Sequence, residues 1–239
     1  MLQNTPRLVI ITSGDGGSTA EAFIHATQAG YVDAVVTDII YNNPPGISSP
    51  FNHIVARIER MNKQYMDYGM HAGAHIKAHL INNKTHPKGL VDKTAITNEA
   101  SDAMCKVFEE THATLGLLLG FRKRIRGSLQ TQYADKGFLT NNHPGRVDVS
   151  ELRGAWGNAV HQKAYDLAQT GKIDHTGITI QLVDPQYDLG KVLETIPVPI
   201  SLDDSPQNIC DNVQMAEKIY TPKIIGDYLK HLQNSNQKQ

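Results

Sequence analysis

The sequence opens with a continuous apolar run that ends in a cluster of glycines and then continues with helical spacing. Residues 7–12 (RLVIIT) are followed by Ser-Gly-Asp-Gly-Gly-Ser at 13–18, after which apolar residues recur at helical intervals to about residue 30. A second apolar run follows at 33–40. This order predicts a βαβ unit with parallel strands and a right-handed crossover. We therefore expect an α/β fold built on a doubly wound, mostly parallel sheet.

The rest of the chain alternates between helical and strand-like patterns. Helices are predicted at 49–69, 98–111 and 155–171, and an uncharged apolar run predicts a buried strand at 113–121. Residues 72–95 are predicted to be irregular, although HIKAHLI within them fits either a strand or a helix. The helix predicted at 98–111 and the strand predicted at 113–121 continue the doubly wound pattern.

The last third of the sequence predicts an antiparallel strand pair followed by a long helix. Runs at 176–184 and 191–200 are separated by the turn DPQYDLG, which predicts a hairpin-like pair. A helical segment follows at 205–233 and is expected to bend at Pro222. We expect residues 1–239 to form a single domain, with a frayed polar tail at 234–239.

Composition limits the kinds of partner. The 239 residues are 40% hydrophobic and 20% charged, with a net charge of −1, so neither disorder nor a nucleic-acid-binding surface is expected. The apolar run near the N-terminus is too short for a signal peptide or a membrane span. Cys105 and Cys210 both fall in predicted helices, so a disulfide framework is not expected. These features favour a cytoplasmic protein with small-molecule partners.

The glycine cluster can bind an anion. Consecutive glycines between a strand and a helix let bare N–H groups approach a phosphate at the helix N-terminus. The cluster lacks the lysine of a Walker loop and the spacing of a dinucleotide fingerprint. A tight turn without a ligand therefore remains the alternative.

Polar residues with proton-transfer chemistry follow a later apolar pair. Asn141 and His143 follow the apolar Phe138-Leu139 and are two residues apart, so on a strand they project from the same face. Ligands in open parallel sheets bind beyond the carboxyl ends of the strands, which makes this pair a candidate for polarisation and proton transfer. Asp188, in the later turn, could contact His143, raise its pKa and keep it charged. The alternative for all three is an ordinary turn residue.

Two further clusters have competing interpretations. His71, His75 and His79 recur every four residues, so on a helix they would share a face and could bind a metal, but a solvated or interface helix is favoured. The cationic run at 122–126 could contact an acidic cofactor tail or form a solvated loop.

Five segments in this order resemble the phosphoribosylglycinamide formyltransferase family, whose members are folate-dependent and have the formyltransferase fold. The matching segments are SGDGGS at 13–18, LLLGFRKRI at 117–125, Asn141 to Pro144, YDLG at 187–190 and VQMAE at 213–217. The chain departs from the family after Pro144, where Gly-Arg-Val-Asp replaces Ser-Leu-Leu-Pro. It also has Gln181 where the family has histidine, and residues 42–97 are longer than usual.

The resemblance implies a function and a set of site residues. It implies formyl transfer from 10-formyltetrahydrofolate, as co-substrate, to the amine of glycinamide ribonucleotide in purine synthesis, by a monomer or homodimer that needs no metal. The catalytic residues would be Asn141, His143 and Asp188. The other implied contacts are Gly16, Gly17, Ser18 and Thr19 for the phosphate, Glu217 for the ribonucleotide, and Arg122, Lys123, Arg124, Ile125, Asn141, Val183, Asp184 and Tyr187 for folate.

Two alternatives remain open at the level of the sequence. The first is a formyltransferase that acts on another amine, such as an amino sugar nucleotide, because the atypical segments would shape the acceptor pocket. The second is a noncatalytic protein that binds a nucleotide or a metal through the glycine cluster or the histidines.

Overall fold

A computed structural model describes residues 5–13, 17–42, 56, 58–63, 75–90, 92–186 and 188–236. Within these residues seven strands form one sheet: β1 (Arg7–Thr12), β2 (Val35–Tyr41), β3 (Lys77–Leu80), β4 (Leu115–Leu119), β5 (Leu139–His143), β6 (His175–Leu182) and β7 (Val192–Pro199). Their order is β3-β2-β1-β4-β5-β6-β7. The first five strands are parallel, and β6 runs antiparallel to both β5 and β7. The predicted mostly parallel sheet with a late antiparallel pair is confirmed.

Helices cover the sheet at intervals along the chain: α1 (Gly17–Gln28), α2 (Asn98–Glu110), α3 (Asn158–Gln169) and α4 (Pro206–Asn236). A short helical turn, Gly127–Leu129, continues into a π-helical turn, Gln130–Ala134. Thr97 caps α2, because its side-chain oxygen accepts the N–H of Ala100. None of the helices in the described ranges combines the length and apolarity of a transmembrane span.

Hydrophobic clusters explain why these elements pack on the sheet. Phe23 of α1 and Ile225 of α4 belong to one cluster with β1 and β4, while Met104 and Phe108 of α2 belong to a second. Burying each such side chain contributes about 1.5–3 kcal/mol. Because α1 and α4 pack together, the first turn of α1 lies close to the middle of α4, where Glu217 is found.

The structure differs from the sequence prediction in the segment before α2. Residues 77–80 form β3, which pairs in parallel with β2 at the edge of the sheet, so the prediction of irregular structure is wrong there and the strand alternative is right. Residues 56 and 58–63 are helical, as predicted. The rest of the 49–69 helix and the loop at 43–49 lie outside the described residues. At the other end, α4 continues through Pro222 and includes residues 234–236 of the expected tail.

Candidate active site

Strand β5 brings Asn141 and His143 to the edge of the sheet at which the parallel strands β1 and β4 also end. The two residues are two positions apart in the strand, so both side chains project from the same face. His143 is buried and Asn141 is partly buried. Asn142 alternates to the other face, where its Nδ2 donates to Oγ1 of Thr221 at 3.2 Å. The predicted placement of Asn141 and His143 at the carboxyl end of a strand is confirmed.

Asp188 lies directly against His143. Oδ2 of Asp188 is 3.2 Å from Nδ1 of His143, and the two side chains are only 6% and 4% exposed. Two donors fix the carboxylate: the Gly154 N–H donates to Oδ2 and Nε2 of Gln181 donates to Oδ1, each at 2.9 Å. The carboxylate is therefore held in one orientation by donors from two separate segments.

The loop between β6 and β7 presents Asp188 through an unusual backbone. Asp188 has a φ of 55°, in the left-handed region that Asp tolerates better than most residues. Two residues later, Gly190 approaches β6 so closely that an added Cβ would lie 1.7 Å from the carbonyl oxygen of Leu182. The absence of a side chain at Gly190 therefore allows the loop to close on β6 and to direct Asp188 towards β5.

The protonation of His143 differs from the expectation. Burial lowers the pKa of His143 below its ordinary value, and the nearby Asp188 carboxylate and the Leu152 carbonyl oppose this shift without overcoming it. The prediction that Asp188 keeps His143 charged is therefore wrong for the protein alone. At neutral pH the ring is neutral and can take up a proton, and the imidazolium that forms has a carboxylate partner 3.2 Å away.

A second polar pair lies between α1 and α4. Oγ1 of Thr19, in the first turn of α1, donates to Oε2 of Glu217 at 3.2 Å. Burial raises the pKa of Glu217 to about 7, and the hydrogen bond from Thr19 opposes the shift. Ser18 stands beside Thr19 at the start of the helix, where unpaired N–H groups favour an anion. Gly17 is buried in the same turn, and Gly16 lies outside the described residues.

One cavity of about 230 Å³ joins the two polar pairs. Its walls come from the first turns of α1 and α3, the ends of β4, β5 and β6, the loops after these three strands, and the first half of α4. The lining residues that bear on function are Ser18, Thr19, Arg122, Asn141, His143, Trp156, His161, Gln181, Val183, Asp184, Asp188 and Glu217. The structure therefore brings the predicted catalytic residues, Ser18 and Thr19 at the end of the predicted phosphate segment, and Glu217 to a single cavity.

The cationic run after β4 is less available to a ligand than the sequence indicated. Lys123 donates from Nζ to the Lys93 carbonyl at 2.7 Å, and Arg124 is paired with Asp92. Ile125 is buried in the core, although the cavity reaches it. Lys123 and Arg124 are thus braced by the segment before α2, whereas Arg122 is exposed to solvent. Among the other residues implied for folate, Tyr187 lies outside the described residues.

The histidine stripe does not form on a helix where the structure describes it. His79 lies on β3, and its Nε2 is 2.7 Å from Oδ1 of Asp38, whereas His75 precedes the strand. His71 lies outside the described residues. Within the described ranges, no group of three or more His, Cys, Asp or Glu side chains is arranged to hold a metal ion. The shared helical face is therefore a wrong prediction for His75 and His79.

Several residues of the site were not identified as such from the sequence. Gln181 was noted only as a departure from a family pattern, yet it donates to Asp188. His161 is 5% exposed, and burial together with the neighbouring His143 lowers its pKa to about 4. Trp156 lines the mouth of the cavity, although no role was assigned to it from the sequence. His161 and Trp156 depend on the packing of segments distant in sequence, whereas Gln181 lies only seven residues before Asp188 and reaches it across the turn that follows β6.

Comparison with known proteins agrees with this geometry. No family model matches the chain. A curated phosphoribosylglycinamide formyltransferase from Schizosaccharomyces pombe is 26% identical over 222 residues, which cover 91% of this chain and 94% of the relative. The match therefore extends over nearly the whole of both proteins.

Solved structures share the fold. Phosphoribosylglycinamide formyltransferase from Brucella melitensis has a TM-score of 0.69 at 22% identity, covering 94% of this chain and 96% of that one. The enzyme of the same name from Bacillus halodurans gives 0.70 at 21% identity, with 93% and 95% covered. A formyltetrahydrofolate deformylase from Pseudomonas syringae gives 0.69 at 16% identity, with 96% of this chain but 63% of that chain covered. The resemblance inferred from the sequence is thus confirmed, and the chain has the fold of the phosphoribosylglycinamide formyltransferases.

Proposed function

We propose that this protein transfers a formyl group from 10-formyltetrahydrofolate to the amine of glycinamide ribonucleotide. The observation that carries the proposal is the meeting of the His143–Asp188 pair and the Thr19–Glu217 pair in one cavity. The first pair suits proton transfer and the second suits a sugar phosphate. The curated relative bears the name of this activity, and 94% of its length is matched by this chain.

The His143–Asp188 pair supplies the proton transfer. The amine forms a bond to the formyl carbon, the bond from that carbon to the folate nitrogen breaks, and one proton must pass from the amine to that nitrogen. His143 is neutral in the protein alone and so can take up this proton. Asp188 then stabilises the imidazolium at 3.2 Å and the proton returns to the leaving nitrogen. In this role Asp188 stabilises a His143 imidazolium that forms only during the reaction and is not present beforehand.

Asn141 stabilises the charge that develops on the formyl oxygen. Its side chain projects from β5 on the same face as His143, and it lines the cavity. A preorganised amide donor at such an oxygen typically lowers the barrier by about 2.7–4 kcal/mol. Asn141 and the transiently charged His143 together form the donor set for that oxygen.

The Thr19–Glu217 pair selects the acceptor. An ionised Glu217 can accept hydrogen bonds from ribose hydroxyls, and the first turn of α1, with Gly17, Ser18 and Thr19, offers N–H groups to the phosphate. This combination favours a ribonucleotide over an amino sugar nucleotide. The noncatalytic alternative is disfavoured because the donors around Asp188 fix a carboxylate beside a buried imidazole.

The remaining features agree with an enzyme of the cytoplasm. Cys105 and Cys210 are buried free thiols, as expected in a reducing compartment. Val183 and Asp184 line the cavity close to Asp188 and would contact the folate co-substrate, along with Arg122. We propose this localisation and these contacts as parts of the same function.

The test compares three reaction mixtures with purified protein. The mixtures contain 10-formyltetrahydrofolate with glycinamide ribonucleotide, with an amino sugar nucleotide, or with no amine. We expect deformylation only with glycinamide ribonucleotide. Deformylation without any amine would show hydrolysis instead, and activity only with the amino sugar nucleotide would reassign the acceptor.

Variants test the roles of the two catalytic side chains. We expect His143→Ala and Asp188→Asn to lower kcat by at least about 100-fold, since removing single catalytic groups typically has effects of this size. His25→Ala and Asp203→Asn are matched controls, because both side chains are exposed and neither lines the cavity. Equal turnover in all of these proteins would refute the mechanism.

A further inference from the structure

Trp156 is a large aromatic side chain left exposed at the mouth of the cavity. It is the single tryptophan of the sequence, 55% of its surface is exposed, and it lines the cavity that holds the catalytic pair. Exposed aromatic surface of this size in a concave site marks a place where a ligand is bound. Neither pair of polar residues described above accounts for it.

The segment that carries Trp156 is tied to the catalytic carboxylate. Gly154 and Gly157 bracket the residue and have φ values of 69° and 59°, which favour glycine. The N–H of Gly154 is also the donor to Oδ2 of Asp188 at 2.9 Å. The position of the indole relative to the reacting centre is therefore set by the backbone and by Asp188.

Arg122 lies over the same indole. Its guanidinium carbon is 5.7 Å from the centre of the Trp156 ring, within the range of a cation–π contact. Its backbone N–H donates to Oγ of Ser13 at 3.0 Å, so its position at the end of β4 is fixed. The next two cations, Lys123 and Arg124, are directed instead at the segment before α2. Arg122 is thus the member of the cationic run that meets the loop after β5.

Three apolar residues add to the walls of the cavity that Trp156 and Arg122 line. Phe121, Leu182 and Val183 line the same cavity at the ends of β4 and β6. A planar ring bound against Trp156 would have an aromatic surface on one face and the Arg122 cation close by, in a cavity whose walls include these apolar side chains. These contacts suit an aromatic ring that bears a carboxylate, and none of them involves Thr19 or Glu217.

We propose that Trp156 and Arg122 form a binding element for the aminobenzoyl-glutamate part of the folate co-substrate. Trp156 stacks on the benzoyl ring, and Arg122 orients the indole and attracts the carboxylate. The proposal rests on the proposed formyl transfer and adds a residue that determines affinity for the folate but not for the acceptor. Because the Gly154 N–H donates to Asp188, folate bound against the indole is also positioned relative to Asp188.

The test separates folate affinity from acceptor affinity. We expect Trp156→Ala to raise KM for 10-formyltetrahydrofolate by about tenfold and Trp156→Phe by about twofold, because phenylalanine keeps an aromatic face. Arg122→Met, which keeps the length of the side chain and removes the charge, should raise it about fivefold. In all three, KM for glycinamide ribonucleotide and kcat should change less than about threefold. Tyr31→Ala is the control, since Tyr31 is 84% exposed and does not line this cavity.

A binding measurement tests the affinity for folate independently of turnover. Folic acid should quench the emission of Trp156 in the wild-type protein, with a Kd that calorimetry reproduces and that rises about tenfold in Trp156→Ala. If the wild-type protein transfers formyl groups but Trp156→Ala keeps the wild-type KM and Kd for folate, the binding element is refuted alone. If the wild-type protein neither transfers formyl groups nor binds folic acid, the proposed function and the inference both fail.

Discussion

Replacing Glu217 by glutamine should stabilise the protein at alkaline pH while weakening its binding of the acceptor. Burial raises the pKa of Glu217 from an ordinary 4.5 to about 7, so ionising this group costs more in the folded protein than in the unfolded chain. A difference of this size corresponds to about 3 kcal/mol. Because the side chain is only partly buried, solvent screening reduces the expected effect to about 1–3 kcal/mol.

The sign of the effect follows from the direction of the shift. Below pH 4.5 Glu217 is protonated in both the folded protein and the unfolded chain, so its ionisation does not change the free energy of unfolding. As the pH rises from 4.5 to 7 the unfolded chain ionises first, so wild-type stability is lost across this window and stays lost above it. Glu217→Gln cannot ionise and escapes this loss. The variant should therefore equal the wild type near pH 4.5 and exceed it at pH 8.5.

Urea unfolding at pH 4.5, 6 and 8.5 measures this difference as a free energy of unfolding. Glu110→Gln is the control, because Glu110 is an exposed residue of α2 and its substitution changes the net charge equally. In parallel, KM for glycinamide ribonucleotide should fall as the pH rises through 7 in the wild type and stay high and constant in Glu217→Gln. A variant that is less stable than the wild type at pH 8.5, or a stability gain that is the same at every pH, would refute the reasoning.

Two further substitutions test the frame around Asp188, and a third tests the brace on the cationic run. Gly190→Ala places a Cβ 1.7 Å from the Leu182 carbonyl oxygen, so the loop must move and kcat should fall at least about 100-fold, with circular dichroism unchanged. Gln181→Leu removes a donor to the buried Asp188 carboxylate, a loss of about 1.5–3 kcal/mol that should lower kcat/KM about 10- to 100-fold; wild-type kinetics would contradict this role. Asp92→Ala releases two arginines from their carboxylate partner and should raise KM for folate more than about threefold, measured by initial rates at saturating acceptor.

The elements that the sequence predicted well are those whose pattern is local. Strand β1 pairs with β2 on one side and β4 on the other, and its residues after Arg7 are buried. A strand buried in this way has apolar side chains on both faces, so its sequence is a continuous apolar run. Asn141 and His143 share a face because side chains alternate along β5, a property of any strand. Strand β3 has only four residues at the edge of the sheet, too short for a clear period.

Contacts between distant segments were not predictable in the same way. His79 appeared as part of a helical stripe because its partner, Asp38, lies on another strand. The neutrality of His143 depends on burial by elements that no local pattern identifies. The segment before α2, which braces the cationic run through Asp92, has no recognisable motif. Such features follow from the tertiary structure and not from the composition of the segment.

Three titratable groups that line the cavity, His143, His161 and Glu217, share one property that bears on how it works. Burial lowers the pKa of His143, lowers that of His161 to about 4 and raises that of Glu217 to about 7. Each shift favours the neutral form, because each group is poorly solvated in the protein alone. A ribose hydroxyl donating to Glu217 would favour its ionised form, and a proton arriving at His143 would be stabilised by Asp188. The charges needed for binding and transfer therefore develop as the substrates bind and react.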